Sequence, residues 1–455
     1  FQSEEAWHDA RRKSFVLLQS EHIRLHLLPV SFKQELENLE RGIRVDNAPK
    51  DSPFWDIVWN AREWSRFFGE LSTRLSAGER VDTHPARVAV MIHTVGCCRR
   101  GSYQMPKPND DGMHSKIQEI QINHSLIKTC QYKNPSRVLS DFRSKPVLMC
   151  KRTNVSVCCK DSIDVGRELQ ERGLNPLVLN MASSVHPGGG FLKGDGAQEG
   201  SLFRRSNYYM SLSDVDGRDR NVHYPIDIFG GIHSSGVTVF KSNESEGYGL
   251  LAEPFQMSFI AAAALSRPTL TRHRSLCDKD VCTTRHKIET IFRDGIRHGH
   301  DSLVLSAFGC GAFHNPPEQV CEIFKSVIHE FNGYFKEITF AIISDHNSKS
   351  MTKEGNFEVF RRLLSKYEFR FEGSIIPIEP DSDPCNHGGL CLSMGDDAHR
   401  KNFHHPPKCP HGAECKERSD HTHSMMFWHI PGCKHGSKCT DASEKHLEEF
   451  LHFPA

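Results

Sequence analysis

The sequence predicts an α/β protein in which helices flank a mixed sheet, with a helical region before it and a small tail rich in Cys and His after it. Short apolar runs typical of buried strands alternate with helical segments from about residue 115 to residue 364. Strands that alternate with helices form parallel or mixed sheets covered on both faces. The last 75 residues hold six of the 16 cysteines and 11 of the 28 histidines, which marks them as a separate tail.

Length and composition exclude several classes of protein. A chain of 455 residues predicts two or three domains. Lys plus Arg equals Asp plus Glu at 57 each, so bulk charge does not indicate nucleic acid as a partner. The sequence has no apolar run of membrane-spanning length and no signal-peptide pattern, so we expect no membrane partner. Cys interleaved with His indicates metal binding in a reducing compartment, and we expect an intracellular location, nuclear or cytoplasmic.

The region before the α/β pattern, residues 1–114, is predicted to be a helical accessory region. Residues 31–43 and 54–75 have the spacing of amphipathic helices, and Trp55, Trp59 and Trp64 give the second a large apolar face. Residues 106–113 are rich in Pro, Asp and Gly and are expected to form a linker.

The α/β region is expected over residues 115–375. Its first helix is predicted from the helical spacing of Ile117, Ile120, Ile127 and Cys130. Further helices are predicted at residues 164–172, 288–296, 317–331 and 357–364. Strands are predicted at residues 147–150, 177–179, 236–240, 259–263, 303–305 and 338–343. The helix that begins at Pro317 is the clearest, because its apolar residues fit the 3.6-residue period at every step.

A glycine-rich loop follows the predicted strand 177–179. Asn180 ends the strand, Gly188, Gly189 and Gly190 form a triplet, and Gln198 and Glu199 precede a segment expected to start a helix at Ser201. Consecutive glycines allow backbone N–H groups to surround an anion, and a strand, a glycine loop and a helix start together form a phosphate-binding loop. The alternative is an ordinary surface turn.

These residues resemble the microbial-type poly(ADP-ribose) glycohydrolases, a family built on the macrodomain fold. The family's signature is three glycines, a spacer of six to eight residues and Gln-Glu-Glu. Gly188, Gly189, Gly190, Gln198 and Glu199 fit it, whereas Gly200 stands in place of the second Glu.

The resemblance implies a site for an ADP-ribose unit. The loop would bind the diphosphate and Asn180 the neighbouring ribose, while Glu199 matches the motif's first Glu, which positions the ribose hydroxyls. The second Glu protonates the leaving hydroxyl, and losing such an acid costs about 100- to 10,000-fold in rate. We therefore expect recognition of ADP-ribose or poly(ADP-ribose) with weak or absent hydrolysis, in which Glu199 is the candidate catalytic residue and Asp195 a second carboxyl nearby. The alternative is a fully active glycohydrolase that uses Glu199.

A second loop, Gly309-Cys310-Gly311-Ala312-Phe313, follows the predicted strand 303–305. The family carries a similar Gly-Cys-Gly-x-Phe loop that contacts the diphosphate and the distal ribose. The resemblance therefore adds Gly309, Cys310, Gly311 and Phe313 to the expected ligand-binding residues. From the sequence alone, Cys310 is a small loop residue rather than a nucleophile.

The tail, residues 385–455, follows a linker at residues 376–384 and contains three repeats. Each repeat has the form Cys-x-His-Gly-x-x-Cys followed by two histidines, with a Phe inside each His pair. Two thiolates and two imidazoles complete a tetrahedral zinc site, and so small a unit needs the metal to fold. We predict three structural zinc ions, with the ligands Cys385, Cys391, His399 and His404; Cys409, Cys415, His423 and His429; Cys433, Cys439, His446 and His452.

The repeats resemble the poly(ADP-ribose)-binding zinc finger, whose Cys-x-aromatic-Gly-x-x-Cys start they share except that His replaces the aromatic residue. The resemblance implies that the fingers hold the polymer, or ADP-ribosylated proteins, near the glycine loop. Residues 381–455 contain 8 Lys plus Arg against 11 Asp plus Glu, which argues against general affinity for phosphate backbones. A purely structural or protein-binding array and an RNA-binding finger protein stay open as alternatives.

Overall fold

A computed structural model describes residues 61–79, 81, 83–108, 115–132, 148–191, 194–212, 224–344, 349, 351–364, 383–393, 396–409, 411 and 415–429. The helices are α1 (Ala61–Ser76), α2 (Thr83–Arg100), α3 (Ser162–Glu171), α4 (Gln198–Arg205), α5 (Tyr209–Leu212), α6 (Asp278–Arg297), α7 (Pro317–Glu330), α8 (Asn356–Leu364), α9 (Asp397–Asn402) and α10 (His421–Met426). The strands are β1 (Ser102–Pro108), β2 (Ser115–Gln121), β3 (Lys128–Tyr132), β4 (Asn154–Cys158), β5 (Pro176–Met181), β6 (Gly231–Lys241), β7 (Leu250–Ala262), β8 (Ser302–Leu305), β9 (Glu337–Ala341), β10 (Asp383–Pro384) and β11 (Phe403–His404).

The predicted fold class is confirmed, because β3 to β9 form a seven-stranded mixed sheet. The chain divides into two compact units. The first comprises Phe1–Gln131, Asn180–Ile226 and Ile232–Ala262, and the second comprises Tyr132–Leu179, Asp227–Gly231 and Ala263–Ala455.

The first unit combines helices α1 and α2 with antiparallel strands. β6 pairs with β7, and β1 pairs with β2 in a two-stranded sheet. Trp64 on α1 is fully buried and its ring lies 4.5 Å from that of His93 on α2. Helix α2 is joined to α4 by a hydrogen bond of 2.6 Å from Thr94 Oγ1 to the carbonyl of Arg204. These contacts fix α4, which begins with Gln198 and Glu199.

The second unit contains the parallel part of the sheet. β5, β8, β9 and β4 lie side by side in that order. The residues of β5, β8 and β9 are largely buried, whereas those of the edge strand β4 are half-buried or exposed. Helix α3 begins at an N-cap, Asp161, whose carboxylate accepts the amide of Ile163 at 2.8 Å. Helix α7 buries Phe324 against Phe340 of β9, with ring centroids 5.0 Å apart. The 3.6-residue pattern of α7 thus places its apolar face in the core.

Most predicted elements of the α/β region are confirmed. The structure has strands at 177–179, 236–240, 259–262, 303–305 and 338–341, and helices at 164–171, 288–296, 317–330 and 357–364. In the accessory region, residues 61–75 of the second predicted helix lie in α1. The helix predicted at 31–43 and the start of the one predicted at 54 lie outside the described residues.

Three predictions were wrong. Residues 106–108, expected in a linker, belong to strand β1, whose pairing with β2 in a two-stranded sheet tolerates proline because each strand has an open edge. The helical spacing from Ile117 to Cys130 is fortuitous, because these residues fall in β2, a short 3₁₀ turn and β3, and Ile117 is 43% exposed. Residues 148–150 have no regular structure, and Leu148 is exposed.

The domain boundaries stay predictions. Helices α1 and α2 fall in the same compact unit as the glycine loop, whereas the sequence indicated a boundary at residue 114. Among the described residues, the structure has no helix that combines the length and the apolar character required to cross a bilayer.

Candidate functional site

The glycine loop of the first unit begins where strand β5 ends. Asn180, near the end of β5, is fully buried. Gly188 has a φ of +79°, and a Cβ at this position would lie 2.8 Å from the ring of Phe203. A Cβ at Gly190 would overlap the carboxylate of Asp195, at 1.7 Å. The loop can therefore take this path only with glycine at both positions.

The carboxylate of Glu199 lies inside this loop and is the acceptor of several hydrogen bonds. Glu199 is 3% exposed. Its Oε2 accepts the amide of Ser183 at 3.0 Å, and its Oε1 accepts Asn180 Nδ2 and the Tyr224 hydroxyl, each at 3.3 Å. The amide of Gly188 also donates to this carboxylate. Helix α4 thus directs its first carboxylate into the loop.

Burial governs the protonation of Glu199. Desolvation raises the pKa of the Glu199 carboxyl to about 7, although hydrogen bonds from Ser183, Gly188, Asn180 and Tyr224 oppose the rise. Desolvation and the neighbouring Glu199 also raise the pKa of Tyr224 well above its ordinary value. Tyr224 therefore remains a donor at neutral pH, whereas Glu199 exchanges its proton there.

The loop amides are largely engaged within the loop itself. Gly188 donates to Glu199, Gly189 donates to the carbonyl of His186 at 3.0 Å, and Phe191 donates to the carbonyl of Gly188 at 2.8 Å. The anion that the loop holds in this structure is therefore the carboxylate of Glu199. The expectation that these amides surround a phosphate stays a prediction.

Asn180 offers the site one free acceptor. Its Nδ2 donates to Glu199 Oε1 and also lies 3.4 Å from the hydroxyl oxygen of Tyr208. Its Oδ1 is buried and has no hydrogen-bond partner among the residues that the structure describes. A buried oxygen without a donor is costly, so a hydroxyl or amine placed there gains a hydrogen bond.

Gln198 connects the start of α4 to the end of β5. Its Oε1 accepts the amide of Met181 at 2.9 Å, next to Asn180. Helix α4 has no side-chain N-cap, and Ala197 occupies that position. Gln198 therefore acts within this structure as the link that sets Glu199 beside Asn180.

Gly200 faces a buried guanidinium. A Cβ at Gly200 would lie 3.1 Å from Arg204 Nη1 and 3.3 Å from the carbonyl oxygen of Asp195. Arg204 is fully buried and donates from Nη1 to that carbonyl at 3.1 Å and from Nε to the Tyr248 hydroxyl at 3.0 Å. Its Nη2 has no hydrogen-bond partner within the described part of the chain.

A second arginine supports the loop from helix α2. Arg87 lies 3.4 Å from the carbonyl oxygen of Gly194 and forms an ion pair with Glu244, whose carboxylate also accepts the Tyr248 hydroxyl at 3.0 Å. The Tyr248 hydroxyl also accepts a hydrogen bond from Arg204 Nε. The two arginines therefore belong to one hydrogen-bonded network, which ends at the consecutive carbonyls of Gly194 and Asp195. This network supports the segment that leads into Gln198 and Glu199.

The second glycine loop lies in the second unit. Gly309 has a φ of +73°, and Asn315 Nδ2 donates to the carbonyls of Gly309 at 3.1 Å and Leu265 at 2.7 Å. Cys310 is fully buried, and burial raises the pKa of its thiol well above the ordinary value, so Cys310 is unsuited to be a nucleophile. Phe313 is half-buried. The contacts of Gly309, Cys310, Gly311 and Phe313 with a ligand stay predictions.

In the tail, the structure brings together two groups of two cysteines and two histidines. Within each group the possible ligand atoms lie within 4.8 Å of one another. This donor set fits zinc, which prefers four tetrahedral N and S ligands. The groups are Cys385, Cys391, His399 and His405, and Cys409, Cys415, His423 and His429. The predicted third group, Cys433, Cys439, His446 and His452, lies outside the described residues.

In the first group the structure places His405 with Cys385, Cys391 and His399, whereas the sequence analysis named His404. The assignment of His404 stays a prediction. Residues two apart on an extended chain share one side, and the rings of Phe403 and His405 both pack against that of His399, with centroids 4.8 and 5.0 Å away. With His405, the His spacing of the first finger equals that of the second.

Several residues of the site were not predicted from the sequence. The Ser183 amide and the Tyr224 hydroxyl contact Glu199, and the Tyr208 hydroxyl contacts Asn180. Arg204 borders the Gly200 position. Arg204 had a detectable signal, since it lies four residues after Gly200, a distance at which two residues of a helix share one face. Tyr224 had none, because it lies 25 residues beyond Glu199 in the chain.

The raised pKa of Glu199 predicts a distinctive dependence of stability on pH. The folded-state pKa, about 7, lies above the ordinary value of 4.5. The proton on Glu199 therefore stabilises the fold below pH 4.5, and this stabilisation is lost as pH rises through 7. Against Glu199→Gln, the wild-type protein should lose on the order of 3 kcal/mol in free energy of unfolding between pH 5 and pH 8.

Urea-unfolding midpoints at both pH values measure this loss. The control is Glu253→Gln, which removes an exposed carboxylate from β7 and should follow the wild type at both pH values. If the difference between wild type and Glu199→Gln were the same at pH 5 and pH 8, Glu199 would not be a buried titrating carboxyl.

Comparison with known proteins finds solved structures that are similar to this chain and one family model that matches part of it. Structures that resemble it include poly(ADP-ribose) glycohydrolase from Thermomonospora curvata, at 28% identity and a TM-score of 0.49 over 61% of this chain and 99% of that one. The Deinococcus radiodurans enzyme in complex with ADP-ribose is 26% identical, with a TM-score of 0.42 over 52% of this chain and 94% of that one. The chain matches none of the curated proteins. Residues 92–242 match the family model described as the catalytic domain of microbial-type PARG, or poly(ADP-ribose) glycohydrolase.

Proposed function

We propose that the first unit binds an ADP-ribose unit at the glycine loop and hydrolyses its ribosyl bond slowly or not at all. The observation that carries the proposal is the buried pair of Asn180 and Glu199, with Asn180 Oδ1 left without a donor among the described residues. This pair lies within the stretch that matches the glycohydrolase catalytic domain.

The chemistry of the pair suits a ribose. A ribose hydroxyl can donate to Asn180 Oδ1, which gives the buried oxygen the partner it lacks. The Glu199 carboxylate accepts from several donors and can accept a further hydroxyl. Asn180, Gly188, Gly189, Gly190, Gln198 and Glu199 are thus the residues that we assign to this ligand.

Hydrolysis of a ribosyl bond requires a proton donor. The acid protonates the leaving oxygen, the bond from the anomeric carbon to that oxygen breaks, and water adds to the oxocarbenium-like carbon. A carboxyl with a pKa of about 7 is partly protonated at neutral pH, which suits Glu199 to this role. Its hydrogen bonds from Ser183, Asn180 and Tyr224 tie it to one position, however, and Gly200 supplies no second carboxyl. We therefore rank a binding protein with weak hydrolysis above a fully active glycohydrolase.

The tail completes the proposal. Three zinc ions would hold the fingers, and fingers that bind poly(ADP-ribose) would raise the local concentration of the polymer at the glycine loop. ADP-ribosylated proteins are then the partners. The acidic balance of residues 381–455 disfavours general affinity for phosphate backbones, so recognition of the polymer would rest on specific contacts of the fingers.

The first test measures binding and cleavage together. The wild-type protein should retain labelled poly(ADP-ribose) in a filter assay and shorten it about 100- to 10,000-fold more slowly than a glycohydrolase with both motif glutamates. Glu199→Ala should abolish the shortening, whereas Glu253→Ala should change neither activity. RNA that displaces the polymer, or no retention at all, would contradict the proposal.

The second test restores the motif. Gly200→Glu should raise the rate of chain shortening by about 100-fold, because the variant regains a second carboxyl at the motif position. We expect the lower end of the range for a general acid, since Arg204 beside this position favours the ionised carboxylate. Gly200→Gln is the matched control and should give no gain. A gain that is equal in both variants would show that side-chain volume, not the acid, limits the rate.

A further inference from the structure

Helix α7 of the second unit carries a polar stripe that its core packing does not explain. The stripe faces away from the residues of α7 that are buried in the core, among them Val320, Ile323, Phe324 and Val327. Residues at spacings of three, four and seven share one face of a helix. The stripe consists of Gln319, Glu322, Ser326 and His329.

The second finger covers this stripe along its whole length. Gln319 Nε2 donates to Thr422 Oγ1 at 2.8 Å, and Ser326 Oγ donates to the carbonyl of Met426 at 2.9 Å. At the far end, the ring of His329 lies 6.1 Å from that of Phe427. Residues 422–427 of the second finger therefore lie along about three turns of α7.

Apolar residues of the second finger are buried. Met425, Met426 and Phe427 are 1%, 0% and 0% exposed. Phe427 also packs against the imidazole of His423, with centroids 4.8 Å apart. Phe427 is thus shared between the small core of the finger and α7, where its ring faces that of His329.

Glu322, in the middle of the stripe, contacts a residue of the predicted metal site. His423 places Nε2 3.2 Å from Cys415 Sγ and 3.5 Å from Cys409 Sγ. Its other ring nitrogen, Nδ1, lies 3.1 Å from Glu322 Oε1. A carboxylate only accepts, so the proton is on Nδ1, and the lone pair of Nε2 faces the two sulfurs.

We propose that the second finger is a built-in metal site of the second unit, in which Glu322 of α7 orients the ligand His423 from outside the coordination sphere. Metal-binding histidines commonly donate their second N–H to a carboxylate, which fixes the tautomer and the ring orientation. In this protein that carboxylate comes from the α/β region and not from the finger. Binding of zinc by Cys409, Cys415, His423 and His429 is therefore coupled to the order of α7.

The finger also has a carboxylate of its own near His423, which must be compared with that of Glu322. Glu417 belongs to the finger itself and lies 3.2 Å from His423 Nδ1. Its side chain is 51% exposed, whereas that of Glu322 is 13% exposed, so solvent screens Glu417 more strongly. The 24-residue repeat places Ser393 at the equivalent position of the first finger. Glu322 is thus the more buried of the two carboxylates at His423.

This coupling is independent of the proposed ADP-ribose site. It concerns only residues of the second unit, and its test needs only zinc and a chelator. It also limits what the second finger does, because the face that carries Met425, Met426 and Phe427 is covered and is unavailable to a further partner.

The test compares zinc affinities of the full chain. In a chelator competition, Glu322→Gln should weaken one of the bound zinc equivalents by about 10- to 100-fold relative to wild type. Glu318→Gln, which changes an exposed carboxylate on the same helix, should leave every equivalent unchanged. Glu417→Gln should have a smaller effect than Glu322→Gln. Equal affinities in Glu322→Gln and Glu318→Gln would overturn the proposal.

Hydrogen exchange provides a readout that does not depend on the Glu322 variants. Removal of zinc from the wild-type protein should speed exchange in residues 319–330 together with residues 421–426, because the finger and α7 are ordered as one element. Exchange that speeds up only in residues 421–426 would show that the finger folds by itself and would overturn the coupling.

Discussion

The carboxylate of Glu199, held in a glycine loop away from water, is the feature on which the rest of the first unit depends. Its donors come from three directions: the loop amides of Ser183 and Gly188, the side chain of Asn180 at the end of β5, and the hydroxyl of Tyr224. A side chain at Gly188 or Gly190 would displace this arrangement. Desolvation then raises the pKa of Glu199 to about 7, which turns an ordinary acid into one that exchanges its proton at neutral pH.

The absence of a carboxylate at position 200 also has a structural consequence. In this chain the space next to Gly200 borders the guanidinium of Arg204, which Tyr248 and the carbonyl of Asp195 hold in place. Asp195 itself, the other carboxyl considered from the sequence, has its side chain against Gly190 and within 3.3 Å of His84 Nε2. Glu199 is therefore the one carboxyl that the described part of the loop keeps buried beside Asn180. This geometry supports our proposal that the site holds a ribose more than it cleaves its bond.

Periodicity predicted the elements that bury a continuous face and failed where burial is partial. Helix α7 and strands β5 and β8 were recognisable because nearly all their apolar residues enter the core. The segment from β2 to β3 was misread as a helix because Ile117, Ile120, Ile127 and Cys130 are spaced by chance at helical intervals, although Ile117 is exposed. The hairpin of β1 and β2 was missed because its prolines suggest a loop unless the pairing partner is known.

The candidate site shows the same limit. Spacing along the chain predicted Gln198 and Glu199 beside the glycine triplet, and it predicted seven of the eight side chains now found in the two described Cys and His groups. It did not find His405, because the side on which a residue of an extended chain lies depends on the local direction of that chain. It also could not find Glu322 or Tyr224, which approach His423 and Glu199 from distant parts of the chain. Contacts of this kind follow from tertiary packing and leave no local pattern.

The central claim is that a buried asparagine and a buried glutamate at the end of β5 form the floor of a ribose site. A crystal structure of the protein grown with ADP-ribose tests this claim most directly. The account predicts a ribose hydroxyl within hydrogen-bonding distance of Asn180 Oδ1, with the Glu199 carboxylate beside it. ADP-ribose bound elsewhere, or a glycine loop left unchanged and empty at saturating ligand, would contradict it.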